Sequence, residues 1–262
     1  MITATDQTGR VVSLPEFPTR IVSLVPSQTE LLSYFGLENR VVGITKFCKY
    51  PESWYRDKTK IGGTKIIKHN VIEALNPDLI IANKEENTRE DIERLSANFP
   101  VWVSDVNCLD DAYKMVGDLG RITQTEHLAT ALVQKLEHNF REFHVLEKRK
   151  TLYLIWRTPY ICAGKNTFID DMLGRCGFEN AVLDTRYPEK KEHELAELNP
   201  ELVLFSSEPF PFKEHHMNAV RKILPNATLQ LVDGEPFSWY GSRLLNSVAY
   251  FKKLLEVLDQ KS

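Results

Sequence analysis

The chain has 262 residues, 42% of them hydrophobic and 26% charged, with a formal net charge of −3. That length holds one large domain or two small ones, and the balance is ordinary for a globular protein with a sizeable core. It leaves no electrostatic footprint for nucleic acid and no run of about 18 apolar residues to span a membrane. None of the four cysteines, Cys48, Cys108, Cys162 and Cys176, falls in a Cys-x-x-Cys pair, so a zinc knuckle is not expected and buried free thiols are.

The opening stretch, MITATDQTGRVVSLPEFPTR, lacks the basic start and apolar core of a signal peptide. Two compartments stay open: outside the cytoplasmic membrane if a leader has been removed, the cytoplasm if Met1 is the native start. RIVSLVPSQTELLSYFG, residues 20–36, predicts a buried strand, a Pro-Ser turn and a helix ended by Gly36. Ser27 is its expected N-cap and Glu30 follows at capping-box spacing. Residues 40–51, RVVGITKFCKYP, predict a strand running into a loop, and KIGGTK (60–65) a short extended piece with a glycine turn. NVIEAL (70–75) is a short helix stopped by Asn76-Pro77, and DLIIAN (78–83) a strand apolar enough to be buried on both faces. A helix over 86–98 and a strand over 100–105 complete an alternation that predicts a parallel, helix-covered sheet.

The C-terminal half repeats the pattern. Strands are predicted at 151–156, 201–207 and 227–233, and helices at 167–177, 193–198, 215–224 and 242–258. The phrase ALNPDLIIAN at Ala74 returns as ELNPELVLFS at Glu197, with the shared Leu-Asn-Pro-acid-Leu frame 123 residues further on. The recurrence implies two related halves, each with a short helix stopped by Pro before a central strand. Between them, residues 121–150 contain no Gly or Pro, and Leu128, Leu132, Leu136, Phe140 and Phe143 repeat at helical spacing. One helix is expected over the whole span, roughly 45 Å long, a rigid strut between residues 1–120 and 151–262. The basic run at 147–150, EKRK, reads as its solvated end.

The ordered set RIVSLVPSQTELL, VVGITKFCKYP, the Leu-Asn-Pro-Asp-Leu-Ile joint, the strut and AGKNTFIDDMLGRCGFEN resembles the class III substrate-binding proteins. These are the helical-backbone metal receptors of cobalamin, ferric-siderophore and haem ABC importers. The likeness runs over about residues 5–258 and is closest in the cobalamin branch. It implies an α/β fold of two Rossmann-like lobes with central parallel sheets, joined by one long backbone helix. The ligand then lies in the inter-lobe cleft, the partner is an ABC importer permease, and the protein is a non-enzymatic monomer without membrane insertion or nucleic-acid partner. The bound ligand is cobalamin, haem or a ferric siderophore, with no catalytic cofactor.

Ligands of open α/β sheets bind beyond the carboxyl ends of the strands, and loop aromatics there face a ligand more readily than strand aromatics. These loops hold Phe47, Tyr50, Trp156, Tyr160, Phe210, Phe212, Phe237, Trp239 and Tyr240, with Lys46, Lys84, Arg157 and Arg243 near them. Flat rings suit a macrocycle and the cations its polar edge. The resemblance points to Trp239 in PFSWYGSR, and to Phe47 and Tyr50 in TKFCKYP, as corrinoid contacts. The seven histidines do not cluster at the loops, so a bare metal site is not expected; single axial candidates are Cys48 and His215. Asp170 and Asp171 read as helix-start acids, Ser27 is in no nucleophile elbow, and IGGTK lacks phosphate-loop spacing. In the cobalamin branch a glutamate on each lobe docks the permease. The matching positions here are Asn70 and His193, with Glu73 and Glu194 close but shifted. The alternative to an importer receptor is a cytoplasmic corrinoid or metal-chelate carrier, sensor or cofactor-handling enzyme. An interaction protein that kept the fold and lost the ligand stands beside it.

Overall fold

The computed structural model describes residues 2–145 and 148–260. The chain folds as two compact units. One comprises the residues up to Val106 with Asp110–Lys135 and Tyr240–Arg243; the other comprises Asn107–Leu109, Leu136–Trp239 and the residues from Leu244 onward.

The first unit opens with an antiparallel hairpin, β1 (Ile2–Thr5) and β2 (Val11–Leu14). The chain then alternates through β3 (Ile21–Ser23), α1 (Pro26–Tyr34), β4 (Val41–Ile44), α2 (Glu52–Asp57), β5 (Thr59–Lys60), α3 (His69–Leu75), β6 (Leu79–Asn83), α4 (Arg89–Ser96) and β7 (Val101–Ser104). Five strands form one parallel sheet in the order β5-β4-β3-β6-β7. The chain winds from β3 to one edge, then returns to start β6 on the other side of β3. That reversal is the switch point where such sheets open a crevice at their carboxyl ends. All five residues of β6 are buried, as its uninterrupted apolar run requires. Val22, Leu24, Ile72, Ile80, Ile92 and Val101 form part of one core layer.

Two helices follow, α5 (Leu109–Ile122) and α6 (Glu126–Arg141). The single helix expected over 121–150 is therefore shorter, 16 residues or roughly 24 Å. Residues 121–122 end α5, and Gln124 takes a left-handed backbone at φ 56°, which a helix cannot contain. The Thr123 hydroxyl donates to Leu119 O at 2.6 Å, turning a side chain back on the helix it ends. A Cβ on Gly120 would sit 2.3 Å from that of Ala129, so only glycine lets the two helices meet this closely at their corner. The predicted stripe survives in the shorter helix: Leu132, Leu136 and Phe140 are buried. The division between the units falls inside α6, after Lys135. Of the basic run, Arg149 and Lys150 begin a strand instead of ending a helix, with Arg149 paired to Asp259 at 2.8 Å; Glu147 lies outside the described residues.

The second unit runs through β8 (Arg149–Trp156), β9 (Tyr160–Cys162), α7 (Phe168–Arg175), β10 (Phe178–Asn180), β11 (Glu189–Lys190), α8 (Glu192–Leu198), β12 (Leu202–Ser206), α9 (Glu214–Ile223), β13 (Thr228–Val232) and α10 (Glu235–Ser238). A 3-10 turn at Ser242–Asn246 leads into α11 (Ser247–Asp259). Central β8 pairs parallel with β10 and β12, and β12 with β13; β9 and β11 add antiparallel pairings on the other side. Leu152, Leu154, Val203, Phe205 and Val220 form part of its core.

The repeated Leu-Asn-Pro-acid phrase is one joint built twice. Helices α3 and α8 both end on a left-handed asparagine, Asn76 (φ 45°, ψ 63°) and Asn199 (φ 42°, ψ 60°), a C-cap conformation that asparagine tolerates. Proline then forbids another helical turn. The acid that follows receives backbone N–H groups at the entry to a neighbouring central strand. Asp78 accepts from Thr19 and Arg20 at 2.8 Å each, and Glu201 from Lys150 at 2.8 Å. Their own N–H groups return the bond, to Arg20 O at 3.0 Å and Lys150 O at 2.8 Å.

Candidate functional site

In the first unit the loop after β4 carries Lys46, Phe47, Cys48 and Tyr50. Phe47 is 47% exposed and Tyr50 41%, whereas Cys48 between them is fully buried. The Cys48 sulfur lies 3.1 Å from the hydroxyls of both Thr29 and Thr45. This thiol anchors the loop, and Phe47 stands out from it. Lys46 Nζ lies 5.0 Å from the centre of the Phe47 ring. The Arg243 guanidinium lies over Tyr50 at 4.3 Å while its Nε donates to Glu30 Oε2 at 2.9 Å. Burial raises the Glu30 carboxyl above its ordinary value, against the opposing pull of Arg243. Glu30 thus orients Arg243 instead of closing a capping box. Helix α1 starts at Pro26 behind extended Val25, with no side-chain cap, and Ser27 lies inside the first turn.

Neighbouring loops are tied to this one. A Cβ on Gly63 would press on the Phe47 ring at 3.1 Å, so the bare glycine brings the 62–67 loop against it. Asn87 Nδ2 donates to Thr64 O at 3.0 Å, and Lys65 Nζ to Glu85 O at 2.5 Å. Asn83 Oδ1 receives the N–H groups of Glu85 and Glu86 at 2.8 and 3.0 Å. Lys84 spends its charge on Asp105 at 2.5 Å.

In the second unit β8 delivers Trp156, 38% exposed, and half-buried Arg157. Trp156 meets Phe210 edge to face at 5.5 Å, and Phe210 in turn meets Phe212 at 4.8 Å and His216 at 5.1 Å. Phe212 is buried in the core, so this chain of rings ties an exposed indole to the sheet. His215 lies 3.8 Å from His216, ring centre to ring centre. The His216 Nδ1 accepts the Lys213 N–H at 2.9 Å. On the same loop, Glu208 Oε1 receives the indole N–H of Trp239 at 2.8 Å and the Ser238 hydroxyl at 2.9 Å. Gly234 permits this: a Cβ there would lie 2.4 Å from Ser206 Oγ and 2.8 Å from Glu208 Cγ. The described cis X–Pro bonds, Tyr50–Pro51, Thr158–Pro159 and Glu208–Pro209, all fall in these loops.

Residues 21–219 match the family model of periplasmic binding proteins. The chain belongs to that family. Among curated relatives, an uncharacterised ABC transporter substrate-binding lipoprotein, YvrC, of Bacillus subtilis is 28% identical over 78% of this chain and 68% of its own. A vitamin B12-binding protein of Yersinia pestis is 26% identical over 71% and 69%. Among solved structures, the periplasmic vitamin B12 binding protein BtuF of Vibrio cholerae superposes with a TM-score of 0.79 at 19% identity, covering 93% of this chain and 98% of that one. At that identity the likeness speaks for the two-lobed α/β fold alone.

Within this periplasmic binding protein the candidate residues separate. Phe47, Tyr50, Lys46 and Arg243 come together on the first unit; Trp156, Arg157 and Phe210 come together on the second. Tyr240 does not join a ligand face: it is only 7% exposed and belongs to the first unit, beside Gly241, which packs on Leu31. Tyr160 and Phe237 are buried as well. Trp239 is half-buried and held by Glu208. Cys48 is sealed in the core, and burial pushes its thiol up, so it presents no axial ligand. His215 is exposed on the first turn of α9. Among the described residues no group of three His, Cys, Asp or Glu side chains is placed to hold a metal ion. Asn70 and Glu73 are exposed on α3 and His193 on α8, while Glu194 Oε2 is taken by the Lys191 N–H at 2.7 Å. Two surface hollows, of about 320 Å³ beside Ile2, Thr3 and Gln124 and about 550 Å³ beside Phe143 and Leu255, share no residue with the aromatic loops. The sequence pattern places Glu30 only in a capping box and assigns no role to Glu208 or His216. Their partners lie 213, 31 and 3 residues away, and only the last spacing leaves a local signal.

Proposed function

We propose that this protein is the substrate-binding component of an ABC-type importer and that its cargo is cobalamin or a similar metal chelate, gripped by the aromatic loops. The observation that carries this reading is selective exposure. Most rings of the strand-end loops pack inward, but Phe47, Tyr50 and Trp156 remain exposed, and Lys46, Arg243 and Arg157 are placed beside them. Large rings left in water on positioned loops mark a binding surface. Flat faces with cations at their margin suit a macrocycle with polar edges. The loops are already braced by Cys48, Asn83 and Glu208, so little ordering cost remains for the ligand. The relatives named for vitamin B12 and for an ABC transporter lipoprotein support both cargo and transporter, and with them a place outside the cytoplasmic membrane. The work done is binding, with no catalytic step.

Titration of the purified protein with cyanocobalamin, followed by tryptophan fluorescence and calorimetry, tests the reading. Saturable one-to-one binding with quenching is expected. No response at tens of micromolar ligand, weaker than about −6 kcal/mol, ends the cobalamin version. Haem and ferric-siderophore titrations run in parallel distinguish the other chelates.

A further inference from the structure

His216 is at the third position of α9, and its neutral Nδ1 closes the first turn by accepting the Lys213 N–H at 2.9 Å. Glutamate or glutamine usually fills this role; histidine makes the acceptor titratable. The same ring lies against Phe210 at 5.1 Å and Phe212 at 5.8 Å, and Phe210 carries Trp156 at 5.5 Å. One imidazole therefore fixes both the start of α9 and the seat of the exposed indole.

We infer that His216 is a positioning residue for the Trp156–Phe210 ring pair, and that its protonation releases the pair and weakens ligand capture on this face. An imidazolium has two donors and no acceptor. The Lys213 N–H then loses its partner, and a new positive charge joins the cations already present. Those cations are Lys213 at the N-cap of α9 and Arg157 just past β8, and the His215 ring lies alongside. Glu214 begins the same helix, and α8, packed against α9, spends Glu194 on the Lys191 N–H. Partial burial first, then the charges of His215, Arg157 and Lys213, hold the His216 ring below its ordinary value. The neutral, bonded form therefore prevails above the unfolded value of about 6.5. Its contribution is lost as pH falls from there through the lower folded value. The capture half of this inference rests on the proposed binding function; the positioning half does not.

The test begins on the ligand-free protein, by NMR of the His216 ring and the Lys213 amide between pH ~7.5 and ~5. Protection of the Lys213 amide, corrected for intrinsic exchange, is expected to fall about fivefold as the ring titrates, the worth of one net hydrogen bond. His216→Gln keeps an acceptor that does not titrate, and its protection stays flat. His216→Phe keeps the ring without an acceptor, and its Lys213 protection is low at every pH. Titrations with cyanocobalamin should show a similar loss of affinity in the wild type and none in His216→Gln. Unchanged Lys213 protection while the ring titrates overturns the positioning claim; a working switch with pH-independent affinity overturns the capture claim. Failure of every chelate to bind at pH ~7.5 strikes the proposed function instead, and the ligand-free arm still decides the positioning by itself.

Discussion

The twin joints make a quantitative comparison possible within one chain. Asp78 accepts three bonds, from Thr19 N and Arg20 N at 2.8 Å and from the Thr19 hydroxyl at 3.0 Å. Glu201 accepts one from Lys150 N at 2.8 Å. All four bonds are solvent-exposed, so water takes over part of each when the carboxylate goes. The low end of the net value, about 0.7 kcal/mol per bond, applies. Asp78→Ala should then cost about 2 kcal/mol and Glu201→Ala about 0.7 kcal/mol. At 2–4 °C per kcal/mol for a chain of this size, the midpoints fall by about 4–8 °C and about 1–3 °C. Asp78→Asn, which keeps one acceptor oxygen, should fall between wild type and Asp78→Ala. Thermal and urea unfolding monitored by circular dichroism measure all three. If the two units melt separately, each substitution should move the transition of its own unit. Equal losses for Asp78→Ala and Glu201→Ala, or an Asp78→Ala midpoint indistinguishable from wild type, refute the view that these acids hold the strand entries.

Other outcomes separate ligand faces from core. Trp156→Ala should weaken chelate binding by about thirtyfold, the cost of losing an aromatic anchor of about 2 kcal/mol, with little change in midpoint. Tyr240→Ala should do the reverse, costing about 3 kcal/mol of stability through the cavity it leaves while the folded protein still binds. Gly234→Ala should disturb binding through the Ser206–Glu208 loop, because its new Cβ needs space held by Ser206 Oγ and Glu208 Cγ. A raised tryptophan fluorescence mobility that leaves affinity intact would count against that link. Burial pushes Cys162 up to about 12 and raises the thiols of Cys48 and Cys176, so at pH ~8 these three stay protonated and shielded. Ellman's reagent should titrate them rapidly only after denaturation; four fast thiols in the folded protein contradict this.

Much of the fold was legible because its signals are local. The continuous apolar runs at Leu79–Asn83 and Leu202–Ser206 became fully buried central strands, and the Leu-Asn-Pro-acid phrase carries its own geometry within a few residues. The long helix was over-extended because a lack of Gly and Pro forbids nothing but also ends nothing. The stripe from Leu132 to Phe140 set its middle, while its start was decided by Gly120 meeting Ala129 and by left-handed Gln124. Short elements such as α2, β9 and β11 escaped notice because two to six residues are too few to display a period.

The site was half legible for a different reason. A strand end places an aromatic in a loop, but the loop's partners decide whether the ring turns outward, and those partners are remote. Phe47 and Cys48 are neighbours of similar hydrophobic character, yet two threonine hydroxyls draw the sulfur inward and leave the ring exposed. Trp239 caps the short helix α10 that follows β13, and Trp156 ends β8. Glu208 claims the N–H of one, and the other leans on Phe210 with more than a third of its surface in water. The two tryptophans are thereby given unequal tasks. Removing the Trp239 N–H by substitution with Phe leaves the Glu208 carboxylate short of a donor and disturbs the loop that seats Phe210. Removing Trp156 subtracts a contact surface and nothing that supports it. On the proposed function, binding energy on this face resides in a ring chosen by exposure, and its precision in a carboxylate and an imidazole that never need to touch the ligand.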